Sequence, residues 1–283
     1  MLPSVTDPGL LDRLERYYDT APRATANAVD VDGFTLFVAR TGWRFYGRPV
    51  PGRVYDVPDV VQVRRELAER GVPDQLEWVD ALVPTLLPAA RAAGMTVHEH
   101  PLLVLDGELL AADVDGVEVS VLDPDDSRVA DVRAAVDAGF SETDDKTPEP
   151  VADTIRQRAR EGLLVLAGAF EAGGAVGGGT SAPRGDVSEL IGIATLPRAR
   201  RRGIGAAVTA ALAADAAARG ANTVFLSAGD DAVARVYERV GFARVGIACV
   251  AEGPDDSGPP TRRTPGAAAG DHKGRDQLLQ IRP

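Results

Sequence analysis

The chain has 283 residues, of which 45% are hydrophobic and 26% charged, so it has enough apolar side chains for the cores of two domains. A net charge of −11 and a pI near 4.8 exclude a general binder of nucleic acid or anionic membranes, because phosphate-rich partners require a basic surface. A single cysteine, Cys249, excludes an intrachain disulfide and a thiolate metal cluster.

Two features of the sequence bear on localisation. The first residues, "MLPSVTDPGLLDRLERYYD", lack the basic start and apolar core of a signal peptide. The longest apolar run, "GLLVLAGAF", is too short to cross a bilayer. We therefore expect a cytoplasmic protein without a membrane partner.

In the first half, residues 59–105 follow the order helix, Arg-Gly, strand, helix, Gly, strand. Residues 205–250 have the same order, again with an Arg-Gly pair after the first helix. This similarity favours an internal repeat in which the first copy has lost features, although two α/β units can also share an order by chance. We place a domain boundary near residues 111–116.

The second half alternates strands and helices and ends in a tail rich in Gly and Pro, typical of a loop or of disorder. The glycine-rich segment 175–186 favours only a weak strand, and "DQLLQI" in the tail predicts a short strand. The predicted strands are 117–122, 163–170, 175–186, 188–196, 223–228 and 243–252, and the predicted helices are 127–138, 150–162, the stretch after Gly203, and 231–240. The pattern predicts an α/β (α+β) chain with domains at 1–113 and 114–252 and a tail at 253–283.

Residues 198–205, "RARRRGIG", concentrate four arginines before a long alanine-rich helix. Free amide groups at a helix start attract anions, glycines let a ligand approach the backbone, and arginines donate to phosphate. The segment lacks the Gly-Lys-Ser/Thr of a Walker loop and the third glycine of a dinucleotide fingerprint. It therefore predicts a seat for phosphate or pyrophosphate, with a solvated arginine loop as the alternative.

The order strand, "LPRARRRGIGAAV", helix, strand, "DDAVARVYERVGF", strand resembles the GNAT superfamily of acyl-CoA-dependent N-acyltransferases. The family signature Q/R-x-x-G-x-G/A matches residues 200–205, and a tyrosine four residues before Gly-Phe matches Tyr237. The resemblance covers about residues 117–250. It implies two GNAT-like domains, each a mixed twisted sheet flanked by helices. The first is degenerate, because Ala90 replaces the tyrosine and no signature precedes "VRRELAERG".

The resemblance implies a site for acetyl-CoA as co-substrate. The pyrophosphate would lie on the backbone of residues 201–206. The pantetheine arm would follow the fourth strand, and a backbone N–H near Leu196 would face the thioester oxygen as an oxyanion donor. The implied cofactor-binding residues are Leu196, Arg200, Arg201, Arg202, Gly203, Ile204, Gly205, Ala206 and Asp230.

Tyr237 is the candidate general acid. It shares an apolar helix face with Val233, Val236 and Val240, and a phenol with an ordinary pKa of ~10 is protonated at neutral pH. It can therefore protonate a departing thiolate. The alternative is a core tyrosine with a satisfied hydroxyl.

The general base is either Glu189, near the start of the fourth strand, or a chain of water molecules. The offset of Glu189 from Leu196 requires a bulge to bring its side chain to the expected face. Asp230 either caps the following helix or contacts pantetheine, and capping is favoured.

Cys249 and the acidic loop after the first helix of the second half have two interpretations each. Cys249 is a nucleophile for two-step transfer or a buried small residue, and we favour burial and direct transfer. The loop with Glu142, Asp144 and Asp145 attracts a cationic amine or is simply solvated.

Aromatic residues of the first half line an acceptor pocket or fill the core, and we favour the core. They include Trp43, Phe45 and Tyr46.

The "HEH" motif gives two possible metal ligands, His98 and His100, on one strand face. No third ligand can be located, so we predict no metal.

The sequence therefore predicts an N-acetyltransferase that moves an acetyl group to a primary amine, in a small molecule or peptide, by direct transfer. The alternatives are an acyl-CoA sensor without catalysis and a scaffold whose arginine loop binds a protein.

Overall fold

The computed structural model describes residues 7, 9–40, 45–110 and 113–254. The helices are α1 Leu10–Arg23, α2 Val57–Glu69, α3 Leu86–Ala92, α4 Val129–Phe140, α5 Asp153–Arg160, α6 Ile204–Ala218 and α7 Asp231–Glu238. The strands are β1 Ala26–Val31, β2 Phe34–Ala39, β3 Gly47–Pro49, β4 Gln75–Val79, β5 Thr96–Leu105, β6 Glu118–Leu122, β7 Val165–Glu171, β8 Gly174–Arg184, β9 Val187–Thr195, β10 Thr223–Ser227 and β11 Phe242–Glu252. Within these ranges no helix is long and apolar enough to span a membrane.

Backbone contacts divide the described residues into two compact units. The first contains the residues up to 21 together with 100–247, and the second contains 22–99 and 248–254. Strands β5 and β11 therefore contribute residues to both units. The domain boundaries drawn from the sequence stay a prediction, and most of the proposed tail, with its short terminal strand, lies outside the described residues.

The first unit is a mixed sheet flanked by helices, as the fold class predicted. Its strands follow the order β11-β5-β10-β9-β8-β7-β6. Strands β6 to β9 form an antiparallel meander, β9 and β10 are parallel, and β10 pairs with β5 in the antiparallel sense. Helices α4 and α6 pack on opposite faces of this sheet. Neighbouring residues of a strand point to opposite faces, and of the neighbouring glycines 178 and 179 the first faces α4 and the second faces α6.

Strand β8 corrects the expectation of a weak third strand, since it runs for 11 residues. A Cβ atom at Gly178 would lie 2.5 Å from a methyl group of Val132 on α4. A Cβ atom at Gly179 would lie 2.8 Å from the Ile193 side chain and close to α6. The glycines therefore let helices approach both faces of the strand, instead of interrupting it.

The second unit is also a mixed sheet, with the order β1-β2-β3-β4-β11. Strands β1 to β3 are antiparallel, β3 runs parallel to β4, and β4 pairs with β11 in the antiparallel sense. Its core contains Phe34, Leu67, Trp78, Leu86 and Cys249. Phe45 and Tyr46 are buried as the sequence favoured, whereas Trp43 lies outside the described residues.

Candidate functional site

The parallel pair β9–β10 is short, and its two strands part where it ends. The register runs from Thr223–Val187 to Phe225–Glu189, whereas β9 continues to Thr195. The later residues of β9 therefore have no strand partner on that side within the described chain. The pairing of β8 with β9 also shifts here, next to Gly192 with its φ of +61°. This is the irregularity that the offset between Glu189 and Leu196 required.

The amide of Leu196 is not free to act as an oxyanion donor, because it donates to the Val176 carbonyl oxygen at 2.9 Å. Backbone groups of a strand alternate between its two edges. In the regular part of the pairing, the alternation turns the N–H group of Thr195 away from β8 and towards the open edge. Among the residues near Leu196, Thr195 therefore has the backbone N–H that can act as this donor.

Helix α6 begins beside this open edge. Gly203 is its N-cap with a φ of +89° and provides no side-chain cap. The first amides of the helix, residues 204–206, have no acceptor within the helix, so they present partial positive charge. A Cβ atom at Gly205 would meet only the Thr195 hydroxyl, at 4.0 Å, so the backbone is accessible there. Ile204, Val208 and Leu212 are buried as predicted.

Arg200, the first residue of the signature, is fixed by acceptors from the protein. Its guanidinium donates to both carboxylate oxygens of Glu142, at 2.6 and 2.9 Å, and to the Gly139 carbonyl oxygen at 2.7 Å. The hydrogen bonds from Arg200 lower the pKa of the Glu142 carboxyl. Arg200 thus ties the loop after α4 to the start of α6.

Glu171 at the end of β7 holds two more arginines, Arg198 and Arg202. Hydrogen bonds from both lower the pKa of the Glu171 carboxyl. Asp144 accepts the Arg198 backbone N–H at 3.0 Å. Arg201, with a φ of +62°, is exposed and forms no ion pair among the described residues. The acidic loop therefore anchors the arginine loop. Neither interpretation of the acidic loop from the sequence, attraction of an amine or simple solvation, included this role.

Tyr237 is buried, with 8% of its surface exposed, and its ring centroid lies 6.4 Å from that of Phe242. Burial raises the pKa of its phenol to about 12. Its hydroxyl has no hydrogen-bond partner within the described chain, which differs from a satisfied core tyrosine. Of the apolar face drawn from the sequence, Tyr237 and Val240 are buried and Val236 is half-buried, whereas Val233 is exposed. Ala234 completes the buried face of α7.

Glu189 lies at the last paired position of β9 and β10 and is 5% exposed. It stands between Ala182 of β8 and Phe225 of β10 in the sheet register. The pKa of the Tyr17 phenol is raised well above its ordinary value, first by the burial of Tyr17 and second by the negative charge of Glu189. Glu189 is therefore at the start of the open edge and beneath helix α1.

The remaining candidates have structural partners. Asp230 accepts the Val233 N–H at 2.8 Å and caps α7, as the sequence favoured. Cys249 is buried, and burial raises the pKa of its thiol to about 12, which excludes a thiolate at neutral pH.

The two histidines of the "HEH" motif differ in exposure. His100 is buried near the Gly229 carbonyl oxygen, at 3.3 Å, and the exposed His98 lies 3.9 Å from Glu252. In the part of the chain that the structure describes, no three His, Cys, Asp or Glu residues are grouped to hold a metal.

The geometry can be compared with known proteins. Residues 130–242 match the model of the Acetyltransferase (GNAT) family. This segment contains the open edge of β9, the arginine loop, α6 and Tyr237. The match supports an acyltransferase enzyme. No curated protein matches the chain.

Solved structures share the fold over most of the chain. A GCN5-related N-acetyltransferase from Kribbella flavida is 23% identical, with a TM-score of 0.67, covering 87% of this chain and 96% of its own. A GCN5-related N-acetyltransferase from Sphaerobacter thermophilus is 18% identical, with a TM-score of 0.57, covering 85% and 84%. An N-acetyltransferase-like protein from Streptococcus suis is 13% identical, with a TM-score of 0.54, covering 86% and 97%. At these identities the likeness shows the fold.

The site contains residues that sequence reasoning missed. Glu142 was considered only as part of an acceptor loop, and Glu171 and Tyr17 were not considered at all. The charge pattern offered one signal, since an arginine cluster in an acidic chain attracts nearby carboxylates. Nothing local in the sequence indicated Tyr17, which comes from the first helix.

Proposed function

We propose that the protein is an N-acetyltransferase that moves an acetyl group from acetyl-CoA to a primary amine by direct transfer. The observation that carries the proposal is the open edge of β9, which leads directly to the uncapped start of α6. An extended thioester can hydrogen-bond to a free strand edge while its pyrophosphate meets the helix amides. The acceptor is an amine of a small molecule or a peptide.

The seat for acetyl-CoA is formed mostly by backbone. The amides of residues 204–206 and the open approach at Gly205 suit the pyrophosphate. Arg201 is the arginine of the loop that is left to neutralise phosphate charge, since Arg198, Arg200 and Arg202 pair with glutamates. Ile204 and Ala206 contribute their backbone, and Asp230 acts there only through its helix cap.

The chemistry needs a proton donor and a proton acceptor. The amine nitrogen bonds to the thioester carbon, the C–S bond breaks, and Tyr237 gives its proton to the departing thiolate. The amide of Thr195 stabilises the oxyanion. Glu189, directly or through water, accepts the proton that the ammonium group loses before it attacks, since a buried carboxylate beside the open edge is suited to that role. The second proton, which the nitrogen loses once the C–N bond has formed, restores the Tyr237 phenol.

The second unit fits a degenerate copy of the same fold. Helix α2, strand β4, helix α3 and strand β5 repeat the order of α6, β10, α7 and β11. Helix α2, however, begins with the capping box of Asp56 and Asp59, whose carboxylates repel phosphate where α6 has a bare glycine. We therefore assign acetyl-CoA only to the first unit. A single buried cysteine is consistent with a reducing, cytoplasmic compartment.

The test combines binding and turnover. Thermal shift with CoA and with acetyl-CoA should raise the Tm, and a panel of small amines, polyamines, aminoglycosides and peptide N-termini should reveal an acceptor. Failure of both ligands to shift the Tm at saturation would overturn the acetyl-CoA seat. A shift without transfer to any amine would favour the acyl-CoA sensor instead.

A further inference from the structure

Tyr17 of helix α1 contacts the strands on both sides of Glu189. Its hydroxyl donates to the Ala182 carbonyl oxygen at 2.7 Å, and its ring meets Phe225 edge-on with centroids 5.0 Å apart. Glu189 lies between Ala182 and Phe225 in the register of the sheet. The Tyr17 hydroxyl is thus bonded to β8 and its ring packs on β10, and Glu189 of β9 lies between these two contacts.

The contact includes Glu189 itself. A hydrogen bond from the Glu189 backbone acts on the phenol, together with the negative charge of its carboxylate. The other charged groups that act there are Arg184 of β8 and Arg158 of α5. Tyr17 is 3% exposed, so this arrangement is shielded from water. Tyr18 also packs edge-on against Phe225, at 5.4 Å, which holds α1 on the sheet.

We propose that Tyr17 is a positioning residue that fixes Glu189 at the start of the open edge of β9, so that helix α1 forms part of the acyl-transfer site. This inference rests on the proposed function. It extends the site beyond the family match, because α1 lies more than a hundred residues before residue 130 in the chain. Because the phenol is bonded to the Glu189 backbone and to the Ala182 carbonyl oxygen, it holds β9 against β8 at this position and so sets where the Glu189 carboxylate lies.

The experiment is a double-mutant cycle of Tyr17→Phe and Glu189→Gln. It measures kcat/KM from pH 6 to 10 with the best acceptor among spermidine, kanamycin and an alanyl-lysine peptide. We expect Glu189→Gln to lower kcat/KM for the amine about 100-fold. Tyr17→Phe should lower it about 10-fold, shift the acidic limb of the profile by about half a pH unit, and leave KM for acetyl-CoA within about twofold. The double variant should match Glu189→Gln alone, because both changes act on one group.

Tyr55→Phe is the matched control, since Tyr55 is a buried, hydrogen-bonded tyrosine of the second unit. It should leave the pH profile unchanged. If Tyr17→Phe does not fold, Tyr17→Trp retains an aromatic contact with Phe225 and a donor and enters the same cycle. Multiplicative effects of the two changes, or an unshifted acidic limb, would overturn the positioning role. Absence of transfer by the unaltered enzyme to any amine would instead overturn the proposed function.

Discussion

At the scale of single residues, Tyr237 combines burial with an unused hydroxyl. Burial raises the pKa of its phenol to about 12, so the group remains protonated throughout the neutral range. A donor must be protonated and within reach of the leaving group to act as a general acid. The pKa therefore favours donation and excludes a role for Tyr237 as a base near neutral pH.

We expect Tyr237→Phe to lower kcat about 100-fold, because it removes the proton donor while it retains the ring in the core. The Tm shift caused by CoA should be unchanged. Steady-state kinetics and thermal shift on the same preparation test this prediction. A kcat equal to that of the unaltered enzyme would make Tyr237 a packing residue only.

The two glycines of the signature have different physical roles. Gly203 has a φ of +89°, which an L-residue adopts only with strain, whereas Gly205 lies in ordinary helical backbone with space around it. We expect Gly203→Ala to lower the free energy of unfolding by about 1 kcal/mol. Gly205→Ala should leave stability intact but weaken CoA binding, because its methyl group stands where the pyrophosphate approaches. Denaturant unfolding of both variants measures the backbone strain at position 203, and calorimetric CoA titration measures the access of the ligand at position 205. Equal effects on CoA affinity, with no difference in stability between the two variants, would contradict this assignment.

At the scale of elements, the arginine loop is held in place by carboxylates. Glu142 and Glu171 together pair with three of its arginines. Exposed ion pairs contribute little to global stability, so their effect is local order in the loop. Most of the positive charge in the arginine loop is thus used to hold the loop in position, whereas Arg201 is exposed to solvent.

Glu142→Gln should therefore weaken CoA binding about 10-fold and leave the Tm within about 2 °C, because Arg200 loses its paired acceptor but the core is unchanged. Asp145→Asn is the matched control, since it removes a charge from the same loop without an ion pair among the described residues. Isothermal titration at two salt concentrations gives the readout. Tighter, more salt-sensitive binding by Glu142→Gln would show that freed Arg200 attracts phosphate, contrary to an anchoring role.

At the scale of the whole molecule, stability depends on a buried carboxyl of the second unit. Burial raises the pKa of Glu77 from its ordinary 4.5 to about 7, although Arg48, Gln75 and Tyr46 act to lower it. The folded chain thus retains this proton at a pH where the unfolded chain has lost it. The stability from this group is complete below pH 4.5 and is lost as the pH rises to about 7.

We expect the free energy of unfolding to fall by on the order of 3 kcal/mol from this group between pH 4.5 and pH 7. Glu77→Gln has no such proton, so its stability should vary less over this range. Denaturant unfolding of both proteins at intervals of half a pH unit measures the difference. Parallel pH profiles would mean that Glu77 is ionised in the folded protein.

The order of strands and helices in the second half, the start of α6 at Gly203 and the position of Tyr237 on a helix before β11 could be predicted from the sequence. Each depends on periodicity or on residues adjacent in the chain, which act through local backbone geometry. The strength of β8 could not be predicted, because Gly178 looks like a strand breaker until helices pack on both faces. Which amide near Leu196 faces the open edge could not be predicted either, because the edge to which an amide points depends on the partner strand.

The sequence by itself determined that this protein has a glycine-capped helix start after an arginine cluster, with a tyrosine helix downstream. Only the tertiary structure decided which carboxylates hold the arginines, which amides remain free, and that Tyr17 covers Glu189. It also decided that β5 pairs with β10 and that β11 pairs with β4. The physical reason is range: helix starts and periodicity arise within a few residues, whereas ion pairs, strand order and burial arise between residues far apart in the chain.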